Sequence, residues 1–153
     1  AFKWEVWKVW YDCPQHPFIV MTKRPEQTRE DMKGLEPPAN VVLGVSVSTQ
    51  AEADRWIPLL LDTPAHRRIV SFEPLVSQVI VPREYLFKLS GVIVGGETGP
   101  GARPMHPDWV RSLRDQCECV GVPFLFKQWG EWVAGCQTEC RDLTSNSVLM
   151  SAT

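Results

Sequence analysis

Apolar and polar positions alternate along this chain in blocks rather than residue by residue. Phe2 to Cys13 carries Phe2, Val6, Val9 or Trp10, and Cys13 at helical spacing. Trp4, Trp7 and Tyr11 widen that stripe, and Asp12-Cys13-Pro14 ends it. This predicts an amphipathic helix whose tryptophans pack into a core. Pro17-Phe18-Ile19-Val20-Met21 is a continuous apolar run ending on Thr22-Lys23-Arg24-Pro25, which suits a strand buried on both faces. Pro25 opens a polar segment to Lys33 that reads as a short helix, closed by Gly34 and Pro37-Pro38.

The same alternation then repeats. Asn40 to Val47 reads as a second strand ending in Ser48-Thr49. Thr49 with Glu52 forms a capping box for the next helix, and Pro58 predicts a break near Trp56 or Ile57. Arg68 to Phe72 is a third strand ending on Glu73-Pro74. A short helix from Pro82 to Leu89 leads to a fourth strand, Gly91 to Val94. The clearest helix runs from Pro107 to Val120, with Trp109, Val110, Leu113, Cys117 and Val120 inward and Gly121 placed as its terminating glycine. Pro123 to Phe126 is the fifth strand, followed by Lys127-Gln128-Trp129-Gly130. Residues 1–133 read as a single domain, and 134–153, polar and without periodicity, as a loosely ordered tail.

Strands alternating with helices predict an α/β fold built from parallel βα units. About five strands fall short of the eight that close a barrel. The expectation is a partial or open (β/α) barrel-like sheet, either complete in itself or the C-terminal part of something larger. An exposed sheet edge would offer a route to homo-oligomers.

Composition narrows the class. With 153 residues, 22% charged and 44% hydrophobic, the chain is an ordinary globular domain, and no apolar run is long enough to span a membrane. A net charge of -2 gives no global reason to bind nucleic acid, although Lys23-Arg24 and Arg67-Arg68 with exposed tryptophans keep a nucleic-acid-associated module as an alternative. Five cysteines and no signal-peptide layout point to a cytoplasmic protein with reduced thiols.

Polar groups gather just after each strand: Lys23 and Arg24, Ser46 and Ser48, Glu73, Glu97, then Lys127 and Gln128. In a parallel sheet these ends share one side, which makes them a candidate constellation. Glu73, His106 and Lys127 are the acid–base candidates. Gly95, Gly96, Glu97, Arg103, Lys23 and Gln128 are the ligand-binding candidates. Arg103 can hold a carboxylate or phosphate in bidentate fashion, or pair with Asp108 or solvent. His106 can cap the helix that follows or titrate. Glu73 before Pro74 is biased to extended geometry, which aims it off the strand end. Trp129 and Trp132 fit an apolar wall or plain packing. Asp54-Arg55 and His66-Arg67-Arg68 read as solvated charges.

Asn40 to Val47, Arg68-Ile69-Val70-Ser71-Phe72-Glu73-Pro74-Leu75, Val92 to Trp109, and Val122 to Trp132 together resemble the phage gp thirty-seven/gp sixty-eight family, a domain of unknown function found in phages, prophages and bacteria. The resemblance runs from about Cys13 to Trp132. It implies a (β/α) barrel-like architecture similar to radical S-adenosylmethionine enzymes. Longer members carry an upstream cysteine-rich segment that looks like an iron–sulfur ligand motif. That segment is not in this sequence, so the carry-over covers the C-terminal half only. No cofactor is expected in this chain; S-adenosylmethionine and an iron–sulfur cluster are implied only together with that N-terminal part. Cys136-Gln137-Thr138-Glu139-Cys140 has the first spacing of such a motif but lacks its third cysteine, and no metal site is expected. Gly95-Gly96-Glu97 resembles the glycine–glycine–acid turns that hold the aminoacyl end of S-adenosylmethionine; a tight turn with an exposed Glu97 is the alternative. An inactive fragment remains a third functional reading.

Overall fold

A computed structural model describes residues 2–132. Its elements run in the order α1 (Phe2–Asp12), β1 (Phe18–Thr22), α2 (Pro25–Asp31), β2 (Val41–Val47), α3 (Gln50–Asp62), β3 (Arg67–Phe72), α4 (Arg83–Leu86), β4 (Gly91–Gly95), α5 (Pro107–Glu118) and β5 (Phe124–Gln128). The five strands form one parallel sheet in the order β1-β2-β3-β4-β5. Among the described residues the sheet is open, with β1 and β5 as its edges. The expected tail at 134–153 lies outside the described residues.

Spatial order that equals chain order has a consequence. Each right-handed crossover steps the same way, so the connecting helices fall on one face of the sheet. Val45, Val47, Val70, Phe72, Val92 and Val94 point to that face and share a core with Ala53, Ile57 and Leu60 of α3 and with Leu113 and Cys117 of α5. The alternate positions face away from the helices: Met21, Gly44, Ile69 and Gly91 align across the sheet, as do Ser46, Ser71, Ile93 and Leu125.

That second face corrects the reading of β1. Ile19 is 63% and Met21 40% exposed, so β1 is half-buried and alternating, not buried on both sides. An edge strand in an open sheet meets helices on one side only, and a five-residue apolar run does not distinguish the two cases. Leu125 on the opposite edge is likewise 57% exposed.

Helix α1 buries Trp10 and half-buries Val6 and Trp7, while Trp4, Val9 and Tyr11 are exposed, so only part of the aromatic stripe is core. Its C-terminal end is fixed by Asn40, whose Nδ2 donates to the carbonyls of Trp10, Cys13 and His16.

Helix α3 starts as predicted, with Thr49 Oγ1 accepting from Glu52 N, while Glu52 Oε2 accepts from Ser48 N at 2.6 Å. The expected break at Pro58 does not occur; α3 is continuous from Gln50 to Asp62. Pro58 shares its helix face with exposed Asp54, so the carbonyl it leaves unbonded is turned to water. Ile57 and Leu60, buried on either side, hold the helix on the sheet. Arg68 is also not a solvated charge: its guanidinium donates to the carbonyls of Leu60 and Thr63 and closes the C-terminal end of α3. Helix α5 ends as predicted, with Gly121 at φ 72° and Val122 N bonded to Cys117 O.

Candidate functional site

The carboxyl ends of all five strands lie on one edge, and the side chains there meet around Glu73. Alternation along β3 places Ser71 and Glu73 on the face without helices. Ser71 Oγ donates to Glu73 Oε2 at 2.6 Å, and Lys127 Nζ reaches Oε1 at 3.0 Å. The backbone carbonyl of Glu73 accepts from Ser46 Oγ at 2.9 Å and from Lys23 Nζ at 3.4 Å. The Glu73–Pro74 peptide is cis, and the chain beyond it bridges the neighbouring strand ends, with Leu75 N bonded to Gly95 O and Val76 N to Ser48 O.

Residue size explains how edge strands reach the centre. Parallel strands stand about 4.8 Å apart, so β1 and β5 end about 10 Å from β3. Lys23 and Lys127 cross that gap over the intervening strands, which carry Ser46 and Gly95 at their ends. At Gly95 the fit is close: a Cβ there would lie 2.5 Å from Glu73 Oε1. The pairing is irregular between Val94 and Gly95: Val94 pairs with Phe126 and Gly95 with Gln128, leaving Lys127 as the extra residue of a bulge, on the same face as Leu125.

Glu97 and Arg103 form a second pair in the β4–α5 loop. Arg103 Nε donates to Oε2 at 2.7 Å and Nη2 to Oε1 at 2.8 Å, while Arg103 N donates to Oε2 at 2.9 Å. These contacts with Arg103, side chain first and backbone second, pull the Glu97 carboxyl down from 4.5 to about 2. Arg103 therefore pairs with neither Asp108 nor solvent alone. The loop is tied to the chain after β5: Gly99 N donates to Glu131 Oε1, Glu131 N to Glu97 O, and Trp132 Nε1 to Ala102 O. Gly96 is held within this weave, its N bonded to Gln128 O and the backbone of Trp129 filling the space where a Cβ would stand.

Of the remaining candidates, His106 Nδ1 accepts from Asp108 N at 3.1 Å and caps α5. Gln128 is half-buried at the end of β5, and Trp129 packs on Phe126 at a ring distance of 4.8 Å. Glu73 and Lys127 thus meet directly, Glu97 and Arg103 meet directly, and Gly95-Gly96 connects the two pairs along the chain. Ser71 and Glu131 take part without having been singled out; their only signal was their place inside the strand-end motifs.

A sequence profile covering residues 1–149 decides the grouping. The chain belongs to a family described as protein of unknown function, DUF5131. Comparison with curated proteins and with solved structures gives no match. The range matched to DUF5131 takes in every strand end described above.

Cofactor chemistry can be tested against the side chains of this DUF5131 chain. Among the described residues no three of His, Cys, Asp and Glu are grouped to hold a metal ion. Cys117 is buried in the core, its thiol pushed up to about 11 by burial and the nearby Glu118. Cys119 is exposed beyond the end of α5, and Cys13 precedes β1. These cysteines lie toward the amino edge of the sheet, so they do not fit a cluster at the site; Cys136 and Cys140 lie outside the described residues. The donor set at the carboxyl edge is instead ionic, with the carboxylates of Glu73 and Glu97 and the cations of Lys23, Arg103 and Lys127. The two basic pairs, Lys23-Arg24 and Arg67-Arg68, sit at opposite edges, one after β1 and the other opening β3. Among the described residues no helix is long and apolar enough to cross a membrane.

Proposed function

We propose that this chain is the C-terminal part of an enzyme-derived (β/α) barrel-like domain of the phage gp thirty-seven/gp sixty-eight kind, similar to radical S-adenosylmethionine proteins. In this reading the carboxyl edge binds a small ligand with a charged end of the aminoacyl type. The supporting observation is the convergence of Lys23, Ser46, Ser71 and Lys127 on Glu73, contributed by strands from one edge of the sheet to the other. Sheets with their helices on one face and sequential strand order keep their sites at this edge.

The chemistry of the edge suits a zwitterion. Glu73 is paired with Lys127 and Glu97 with Arg103, while Lys23 touches only the Glu73 carbonyl, so a ligand carrying both an ammonium and a carboxylate exchanges partners with Glu73 and Lys127 without leaving an unpaired charge. Glu73 receives the ammonium and the lysines receive the carboxylate. Arg103, bound at three points to Glu97, holds the loop beside them. Bound S-adenosylmethionine would supply a sulfonium with three carbon substituents; the residues described here hold its aminoacyl end. Binding does not require the iron–sulfur cluster, and no step through one is assigned.

Calorimetric titration of the chain with S-adenosylmethionine tests the reading. Saturable binding is expected, weakened about tenfold by either Lys127→Met or Glu73→Gln, the usual worth of a charge-assisted contact. Absence of binding at millimolar ligand, or binding indifferent to both substitutions, overturns it.

A further inference from the structure

Glu73 is one carboxylate between two ammonium groups. Lys127 holds its side chain at 3.0 Å and Lys23 its backbone carbonyl at 3.4 Å, so the cluster carries one surplus positive charge on the face without helices. Outside this cluster Arg103 is paired with Glu97, and Glu52, which accepts from Ser48 N, keeps its negative charge in the first turn of α3. Ser46 and Ser71 both spend their hydroxyl protons on Glu73, so it is fixed in place while the lysines, on long flexible stems, are not.

We infer that Lys23 and Lys127 form a two-point clamp for an oxyanion, with Glu73 occupying the clamp as an internal competitor when no anion is bound. The inference rests on the ligand site proposed above and specifies its anionic half: a carboxylate or a phosphate lodged between the ammonium groups of opposite edge strands. It also assigns Glu73 two roles of opposite sign. Glu73 binds the ammonium of a zwitterion, but it repels a simple anion and competes with it for Lys127.

That opposition supplies the experiment. The intact chain is titrated calorimetrically at low salt with inorganic phosphate and, separately, with malonate. Both lysines are exposed, so Lys23→Met and Lys127→Met leave the core untouched; each is expected to weaken anion binding about tenfold. Glu73→Gln is expected to strengthen it severalfold while weakening S-adenosylmethionine. Lys88→Met, an exposed lysine ahead of β4, is expected to leave both unchanged. Binding of phosphate alone identifies a phosphate site and binding of malonate alone a carboxylate site. No saturable binding of either, indifference to both lysine substitutions, or weaker anion binding in Glu73→Gln overturns the clamp. If the anions fail and S-adenosylmethionine still binds, the clamp alone falls. If S-adenosylmethionine fails and the anions bind as expected, the aminoacyl reading falls and the clamp stands.

Discussion

Substituting Gly95 with alanine tests whether the end of β4 is shaped around Glu73. The added Cβ would lie 2.5 Å from Glu73 Oε1 and 3.2 Å from both Cδ and Cγ. The obstacle is the end of a flexible side chain, so the backbone stays and Glu73 swings away. Ser71, 4% exposed, then loses its acceptor, at a cost of about 1–3 kcal/mol for a buried hydroxyl left unpaired. The lost Lys127–Glu73 pair adds little, about 0–1 kcal/mol, because Lys127 is 56% exposed and screened by water. Reduced freedom of the unfolded chain returns about 0.4–1 kcal/mol. The expected net loss is about 1–2 kcal/mol in urea denaturation. The decisive comparison repeats Gly95→Ala in a Glu73→Ala background, where nothing remains to displace and the substitution should be neutral or slightly stabilising. Equal losses in both backgrounds would refute the reasoning, since the cost would then lie in the backbone of β4. Gly96→Ala sets the scale from the other side: its Cβ would meet the backbone of Trp129, which no side-chain rotation relieves, so it should be far more damaging.

Three further outcomes follow from the same geometry. Glu97 is held below its ordinary value, so the Glu97–Arg103 pair contributes stability above pH 4.5 that is lost as the pH falls toward 2; Glu97→Gln should flatten the acid limb of the stability curve in that window. His106→Ala should cost about 1 kcal/mol by uncapping α5, with His106→Asn recovering most of it, and equal stability of all three proteins would dismiss the cap. Cys119 should react with a thiol reagent at once, while Cys117, buried and with its thiol raised to about 11, should react only on unfolding; rapid labelling of both would place α5 differently.

The strands were legible because each is an apolar run stopped by polar residues, and their parallel arrangement followed from the helices between them. The exposure of each strand was not. Pro17 to Met21 reads the same whether helices cover one face or two, and only the sequential order of the sheet decides between them. Pro58 misled because the cost of proline depends on where the freed carbonyl points, and at Asp54 it points to solvent. Arg68 was hidden for a related reason: its partners are backbone carbonyls of α3, which no side-chain pattern advertises. The candidate site shows the same division. Glu73 and Lys127 could be named from their places near strand ends, but that Lys127 reaches Glu73 across β4 depends on the pairing of β4 with β5 and on the space left at Gly95.

Side-chain size also bears on why the site draws on edge strands at all. Adjacent strands end closest to one another, so the most compact site around Glu73 would draw its charges from β2, β3 and β4. Here β2 and β4 contribute Ser46 and Gly95, the small residues, while β1 and β5 contribute the long cations. A larger residue at 95 would occupy the place of the Glu73 carboxylate, and a larger one at 46 would lose the hydroxyl that fixes the Glu73 carbonyl. Small central and long peripheral side chains therefore act as one unit. The pattern concentrates charge at the centre of the edge while leaving the strand ends there sterically open. A ligand approaching from the face without helices meets the ammonium groups first and the fixed carboxylate of Glu73 last. Reversing the sizes, with Gly95→Lys and Lys127→Gly combined, keeps the charge count but puts the cation on the strand adjacent to Glu73. If placement across the sheet governs the site, that double variant should fold less stably and lose the anion affinity of the parent; if only net charge matters, it should keep it.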